Sequence, residues 1–116
     1  VRAPAQETLR SLYAQCDVFL SASRSEGFGL PVLEAMACRT PVVATRTGCT
    51  ADVIVEGAEG VMAEVEDADG LADGLRRVLD QPEAAWKRMS EAAFARATSY
   101  TWDDATTLFE DALRFP

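Results

Sequence analysis

Hydrophobic positions along the chain follow two patterns that alternate. Apolar residues at helical spacing predict helices over residues 8–15, about 30–38, 69–79 with a start at Asp67 or Asp69, 82–97, and a last helix through 105–113. Continuous apolar runs at residues 17–23 and 40–45 predict strands that are covered on both faces, and a weaker third strand is predicted near residues 61–63. Strands that alternate with helices predict a parallel sheet built from right-handed crossovers.

Three boundaries in this pattern carry capping residues. Pro31 suits the first turn of its helix, because the missing N–H has no helical partner there. Thr50 is predicted to cap a short helix over residues 52–55. Thr101 with Asp104 resembles a capping box in which aspartate replaces the usual glutamate.

These elements predict an α/β fold class, with a Rossmann-like parallel sheet and flanking helices. Three strands are few for an open sheet that is covered on both faces, so the first strand is expected to have lost a neighbour. The chain starts with a helix and has no glycine-rich first strand and turn, which predicts the second half of a Rossmann-like domain. The unpaired strand edge is expected to recruit a partner, with self-association as one outcome.

Composition narrows the classes of function. The 116 residues suffice for one domain or part of a larger one, and the net charge of −8 disfavours nucleic-acid binding. Three cysteines without a C-x-x-C pair support neither a disulfide framework nor a zinc site, and reduced thiols fit a cytoplasmic location. The absence of histidine removes the commonest general base and most triad hydrolase mechanisms. No apolar run approaches the length of a membrane span.

The segment SEGFGLPVLEAM, residues 25–36, carries the most informative chemistry. It leads from a predicted strand into a helix, at the carboxyl edge where open parallel sheets bind ligands. Gly27 and Gly29 permit close approach of the backbone, and the N–H groups of Gly29 and Leu30 have no helical partners. These donors and the positive end of the helix dipole predict an anion site, typically for a phosphate.

Two carboxylates flank this turn. Glu34 lies about one turn into a helix that is apolar nearly all round, where an unpaired charge is costly. It can hold a ribose diol by accepting two hydroxyls, or it can be a surface acid or pair with Arg39. Glu26 can accept hydroxyls from a sugar at the end of the strand, or it can be an exposed loop acid. A lone arginine such as Arg24 is usually exposed to solvent, yet its position at the strand edge allows a contact with a phosphate.

Residues 23–45, SRSEGFGLPVLEAMACRTPVVAT, closely resemble the signature of the group 1 (family 4) glycosyltransferases, which are retaining enzymes of GT-B fold. The family's Glu-x7-Glu motif falls on Glu26 and Glu34. The similarity continues through GCTADVI and EGVMAEVEDADGLADGLRRVL, and it includes YTWDDATTLFEDAL. The resemblance therefore covers nearly the whole chain.

The resemblance implies a nucleotide-diphosphate-sugar donor, with UDP-, GDP- and ADP-sugars as candidates, and an acceptor hydroxyl that stays unidentified. Glu34 would bind the ribose hydroxyls, and Glu26, the catalytic candidate, would face the donor sugar. Typical members use no metal, no cofactor is implied, and the donor phosphate assists the incoming hydroxyl. The implied donor-binding residues lie in the turn, in the helix that follows it and in the loop at 47–50: Arg24, Gly27, Phe28, Gly29, Leu30, Glu34, Thr47, Gly48 and Thr50.

Three positions depart from the family pattern. Arg39 stands where members usually have glycine, at a helix end that favours positive φ. Cys49 and Asp52 replace a common glycine and the usual glutamate in the second loop, which puts this loop in question and leaves the main motif whole.

The resemblance also sets an expectation for domain organisation. Residues 1–116 are expected to be part of the C-terminal, donor-binding domain of a longer transferase, without its N-terminal acceptor domain and the first half of the donor domain. The chain alone is therefore expected not to transfer sugar. The predicted location is cytoplasmic, with a peripheral position at the inner membrane as an alternative for the full-length protein. The alternative function is a non-catalytic nucleotide-sugar-binding or interaction module.

Overall fold

The computed structural model describes residues 4–114, which form helices and strands in alternation. In chain order these elements are α1 (Gln6–Ala14), β1 (Phe19–Ser21), α2 (Leu30–Ala37), β2 (Val42–Thr45), α3 (Thr50–Val53), β3 (Gly60–Ala63), α4 (Ala68–Leu79), α5 (Glu83–Thr98) and α6 (Trp102–Leu113). Each helix and strand predicted from the hydrophobic pattern is present.

The three strands form one parallel sheet in the order β1-β2-β3. All four residues of the central strand β2 are buried, which the continuous apolar run predicted. Because side chains alternate along a strand, Val42 and Ala44 join one core cluster and Val43 joins another with Val61 on β3. The predicted α/β class, a Rossmann-like parallel sheet with flanking helices, is confirmed.

The first strand is shorter than residues 17–23 and lies at an edge of the sheet. Its ladder begins at Phe19, and before it the carbonyl of Asp17 accepts a hydrogen bond from the indole N–H of Trp86 at 2.8 Å. Among residues 4–114, β1 pairs only with β2, so the predicted open edge is present. Self-association through this edge stays a prediction.

Two of the predicted helix starts need correction or refinement. Thr50 is the first residue of α3 and not its cap, because its hydroxyl bonds to the carbonyls of Thr45 and Thr47 instead of to the helix. The short helix therefore covers Thr50–Val53 and ends before residue 55. Thr101 does cap α6 by accepting the N–H of Asp104 at 3.1 Å, but its hydroxyl donates to that carboxylate, so the second bond of a capping box is not made.

The last helix does not bury its apolar positions against the described chain. Helix α6 has no buried residue, and the side chain of Trp102 is 88% exposed. Leu108, Phe109 and Leu113 are exposed as well. The hydrophobic spacing therefore predicted the helix correctly, but residues 4–114 provide no cover for its apolar face.

Arg39 follows α2 in the left-handed conformation that the sequence predicted, with φ of 66°. Its guanidinium carbon lies 4.0 Å from the centroid of the Phe94 ring, and the group forms an ion pair with Glu91. The hydroxyl of Ser90 donates to the Arg39 carbonyl at 2.6 Å. Arg39 therefore connects α2 to α5, and it does not pair with Glu34.

Two substitutions at this position separate the side-chain contacts from the backbone strain. Arg39→Ala removes the cation–π contact and the ion pair, so it is expected to lower the free energy of unfolding by about 1–2 kcal/mol. Arg39→Gly removes the same contacts but relieves the left-handed strain, so it is expected to be roughly 1 kcal/mol more stable than Arg39→Ala. Urea unfolding measures both variants. Equal stability of the two would contradict the left-handed backbone at this residue.

Candidate functional site

Three loops leave the carboxyl ends of the parallel strands and meet at one edge of the sheet. We call residues 24–29, 46–49 and 64–67 the first, second and third loops. Arg24 in the first loop pairs with Glu66 at 3.1 Å, and Arg46 in the second pairs with Glu64 at 3.3 Å. These side chains are largely exposed, so the pairs contribute little stability, but they show which loops are neighbours.

The first and second loops are joined by a direct backbone contact, which we call the loop junction. The N–H of Cys49 donates to the carbonyl of Phe28 at 2.7 Å. Gly48 beside it has φ of 54°, and a Cβ there would lie 2.3 Å from the Phe28 oxygen. Only glycine fits such a position, so Gly48 permits the two loops to form one surface.

The turn between β1 and α2 presents backbone donors at this edge. Gly29 is the N-cap of α2 and adopts φ of 89° and ψ of 42°, a left-handed conformation that favours glycine. Among residues 4–114, the N–H groups of Gly29 and Leu30 donate to no protein acceptor. The flanking side chains of Phe28 and Leu30 are more than half exposed. Two unpaired donors at a helix N-terminus can bind an anion.

Glu26 lies at the loop junction and is held by a chain of hydrogen bonds from the sheet. The hydroxyl of Ser23 donates to Glu26 Oε1 at 2.6 Å. The carbonyl of Ser23 in turn accepts the hydroxyl of Thr45, at the end of β2, also at 2.6 Å. The Cβ of Glu26 is a near neighbour of Gly48. The sequence reasoning missed Ser23 and Thr45, whose only signal was a hydroxyl side chain at a strand end.

Glu34 lies in different surroundings, between α2 and α1. The hydroxyl of Tyr13 donates to Glu34 Oε2 at 3.2 Å, and both side chains line a cavity of about 310 Å³. The remaining lining residues mix apolar and polar groups: Gln6, Leu9, Arg10, Ala37 and Cys38. No residue of the loop junction lines this cavity, so the structure does not bring the two motif carboxylates into one cavity.

Tyr13 is a residue of the site that the sequence reasoning missed. Burial raises the pKa of its phenol, and the hydrogen bond and the negative charge of Glu34 raise it further, with a smaller contribution from Cys38. The phenol therefore stays protonated and donates its hydrogen at neutral pH. Its only signal in the sequence was an apolar position of a helix, which equally fits a core residue.

The second loop accommodates Cys49 in place of the glycine that is common in the family. The residue has φ of −79°, so its position does not require glycine, and its side chain is buried in the core cluster around Met36. Burial raises the pKa of the thiol, a backbone hydrogen bond partly offsets this, and Asp52 and Glu26 add to the rise. A protonated, buried thiol fills space beneath the junction without adding charge.

The predicted threonines shape the second loop from within. The buried hydroxyl of Thr50 accepts the N–H of Thr47 at 3.0 Å and donates to the carbonyls of Thr45 and Thr47. These bonds hold the loop in the form that brings Gly48 against Phe28. A direct contact of either threonine with a ligand stays a prediction.

Residues 4–114 contain neither a metal-binding cluster nor a membrane-spanning helix. No group of three or more cysteine, aspartate or glutamate side chains has a geometry that could hold a metal ion. No helix in this range is both long enough and apolar enough to cross a membrane.

A parallel sheet with flanking helices, with backbone donors and a carboxylate at its carboxyl edge, places the chain among α/β proteins whose ligands bind at that edge. The family model described as "Glycosyl transferases group 1" matches residues 2–96, and the chain therefore belongs to that family. This finding confirms the family that the motif in residues 23–45 predicted.

Known proteins with similar sequence or structure agree with this assignment. The chain is 38% identical over 98 residues to D-inositol 3-phosphate glycosyltransferase of Mycobacterium avium. This alignment covers 84% of the chain and 23% of the relative. Sucrose-phosphate synthase of Thermosynechococcus elongatus matches with a TM-score of 0.82 and 28% identity, over 98% of this chain and 29% of that protein. The HepE protein of Anabaena in complex with UDP-glucose matches with a TM-score of 0.70 and 26% identity, over 78% of this chain and 25% of HepE.

The chain is short beside its relatives. It spans 22–24% of the length of the first curated relatives that it matches. The comparisons therefore concern one part of these proteins.

The loop junction can be tested with two glycine variants of the same site. Gly48→Ala places a methyl group against the Phe28 carbonyl, so the loops must separate, and the free energy of unfolding is expected to fall by about 1–3 kcal/mol. Gly27→Ala is the matched control, because nothing lies within 4 Å of the added carbon. Its expected effect stays within about 0.5 kcal/mol. Urea unfolding in which both variants lose equal stability would contradict the junction.

Proposed function

We propose that this chain binds the nucleotide-diphosphate-sugar donor of a retaining glycosyltransferase, as part of the C-terminal domain of a longer enzyme. The observation that carries the proposal is the arrangement at the loop junction, in a member of the group 1 family. Unpaired N–H groups at the start of α2 lie beside Glu26, whose side chain is anchored to the sheet. Anion donors next to a hydroxyl acceptor suit a sugar diphosphate.

The diphosphate is proposed to bind at the N-terminus of α2. The N–H groups of Gly29 and Leu30, with that of Phe28, donate to its oxygens, and the helix dipole favours the negative charge. Gly27 and Gly29 keep side chains away from the backbone that approaches the ligand. Arg24 already pairs with Glu66, so a phosphate must compete with this carboxylate for its guanidinium.

The transferred sugar is proposed to lie against Glu26, Thr47 and Gly48. The hydroxyl of Ser23 donates to Oε1 of Glu26. The other oxygen of the Glu26 carboxylate then accepts hydroxyls from the sugar. A negative charge on this side of the sugar also stabilises the positive charge that develops at the anomeric carbon as the diphosphate leaves. The leaving phosphate takes the proton of the incoming hydroxyl, so the reaction requires no histidine base.

The ribose is proposed to bind at Glu34. Tyr13 donates to one oxygen of this carboxylate, and no described residue donates a hydrogen bond to the other oxygen. A carboxylate can accept two hydroxyls of a diol, and charge-assisted bonds of this kind are the strong ones. The cavity beside Glu34 leaves open space next to the carboxylate.

The acceptor site and the rest of the donor site are proposed to belong to other parts of the longer enzyme. The chain alone is then expected to bind donor without turnover, in the cytoplasm or at the inner face of a membrane. UDP-glucose is the first donor to test, because HepE was crystallised with it. GDP- and ADP-sugars complete the set.

Calorimetric titration of two alanine variants tests this division of roles. Glu34→Ala is expected to weaken both UDP and UDP-glucose about tenfold, because both ligands carry the ribose. Glu26→Ala is expected to weaken UDP-glucose and leave UDP unchanged, because only the sugar touches Glu26. Glu83→Ala, which removes an exposed carboxylate on α5, is the matched control and should change neither affinity.

Three outcomes would contradict the proposed roles of Glu34, of Glu26 and of the donor site. Unchanged affinity in Glu34→Ala removes the ribose role, and equal losses of UDP and UDP-glucose in Glu26→Ala remove the sugar role. Failure of the longer parent enzyme to bind UDP-, GDP- and ADP-sugars removes the donor site itself. Glycosyl transfer by the isolated chain would overturn its predicted inactivity, and an inactive longer parent would favour the alternative binding module.

A further inference from the structure

We propose that Tyr13 is a positioning residue that holds the carboxylate of Glu34 in the orientation required for binding ribose. This inference rests on the proposed function of Glu34 as the ribose-binding residue. Tyr13 lies on α1, outside every loop of the sheet edge and outside the motif in residues 23–45.

The contact between the two side chains uses only part of the carboxylate. Among residues 4–114, the phenol of Tyr13 is the one side-chain donor to Glu34, and it bonds to Oε2 at 3.2 Å. The carboxylate has two oxygens with about four acceptor sites in total. Oε1 and the remaining lone pair of Oε2 are therefore left for the hydroxyls of a ligand.

Tyr13 is itself fixed against the sheet. Its ring packs edge-on against Phe19 of β1, with centroids 5.5 Å apart and an angle of 77° between the planes. Its carbonyl accepts the hydroxyl of the buried Thr40 at 2.7 Å, and also the N–H of Cys16 at 3.0 Å. Helix α1 has no fully buried residue that could hold it in place. The contacts of the ring and the carbonyl of Tyr13 therefore fix the position of the phenol.

A fixed phenol selects one rotamer of a flexible side chain before the ligand arrives. A free glutamate has several rotamers and loses this freedom when it binds, which reduces affinity. Prior orientation removes part of that loss. The raised pKa of Tyr13 supports the role, because the protonated phenol is the donor form.

A double-mutant cycle separates positioning from a merely structural role for Tyr13. Tyr13→Phe keeps the ring against Phe19 and removes only the hydroxyl, so the affinity for UDP is expected to fall about three- to tenfold. The same substitution in the Glu34→Ala background is expected to cause no further loss, because no carboxylate remains to be oriented. Tyr100→Phe is the matched control, and its affinity for UDP should equal that of the wild type.

The outcomes of this cycle distinguish the inference from the proposed function. If Glu34→Ala weakens UDP while Tyr13→Phe does not, the ribose role stands and the positioning role is overturned. An equal loss from Tyr13→Phe in both backgrounds also overturns it, because the effect then does not act through Glu34. If Glu34→Ala leaves the affinity for UDP unchanged, the ribose role fails and the inference fails with it.

Titration of the phenol tests the contact without any ligand. The chain has two tyrosines, so Tyr100→Phe leaves Tyr13 as the only phenol whose ionisation changes the absorbance near 295 nm. Adding Glu34→Gln removes the negative charge but keeps an acceptor oxygen. Tyr13 is then expected to ionise at lower pH than with Glu34 present, because the negative charge that helped to raise its pKa is gone, while burial still keeps this pKa raised. Identical titration curves with and without Glu34→Gln would overturn the contact.

Discussion

The hydrogen bond from the N–H of Cys49 to the carbonyl of Phe28 joins two loops that leave neighbouring strands. It forms only because Gly48 allows the backbones to approach, and because the hydroxyl of Thr50 holds the second loop in shape. Glu26 lies beside this junction, and the donors at the start of α2 follow Phe28 directly in the chain. A weaker junction would leave the parallel sheet intact and disperse the groups at its edge.

The two motif carboxylates are supported by different parts of the fold. Glu26 depends on hydroxyl groups at the ends of strands, through Ser23 and Thr45. Glu34 depends on the phenol of a helix that precedes the sheet. The affinity for a nucleotide sugar that contacts both carboxylates would therefore depend on the packing of α1 as well as on the loops.

Much of the fold could be predicted because buried positions carry apolar residues at the spacing of a helix or a strand. The continuous apolar run of β2 was visible as a local property of the sequence, and the positive φ of Arg39 was expected from the family resemblance, because members usually have glycine there. The loop junction was not predicted: Gly48 was recognised as a site residue, but the sequence does not show that its neighbour Cys49 bonds to the main chain of Phe28. The contact of Tyr13 with Glu34 joins residues 21 positions apart, and a tyrosine at helical spacing is indistinguishable from a core residue.

Amide chemical shifts measured during titration with UDP-glucose test the central claim most directly. We expect saturable shifts of the Gly29 and Leu30 amide signals, because these N–H groups are proposed to donate to the diphosphate. The amide of Cys49 should shift less, since its hydrogen is already bonded to Phe28. Saturable shifts confined to α5 and α6, with unchanged signals from Gly29 and Leu30, would contradict a donor site at the start of α2.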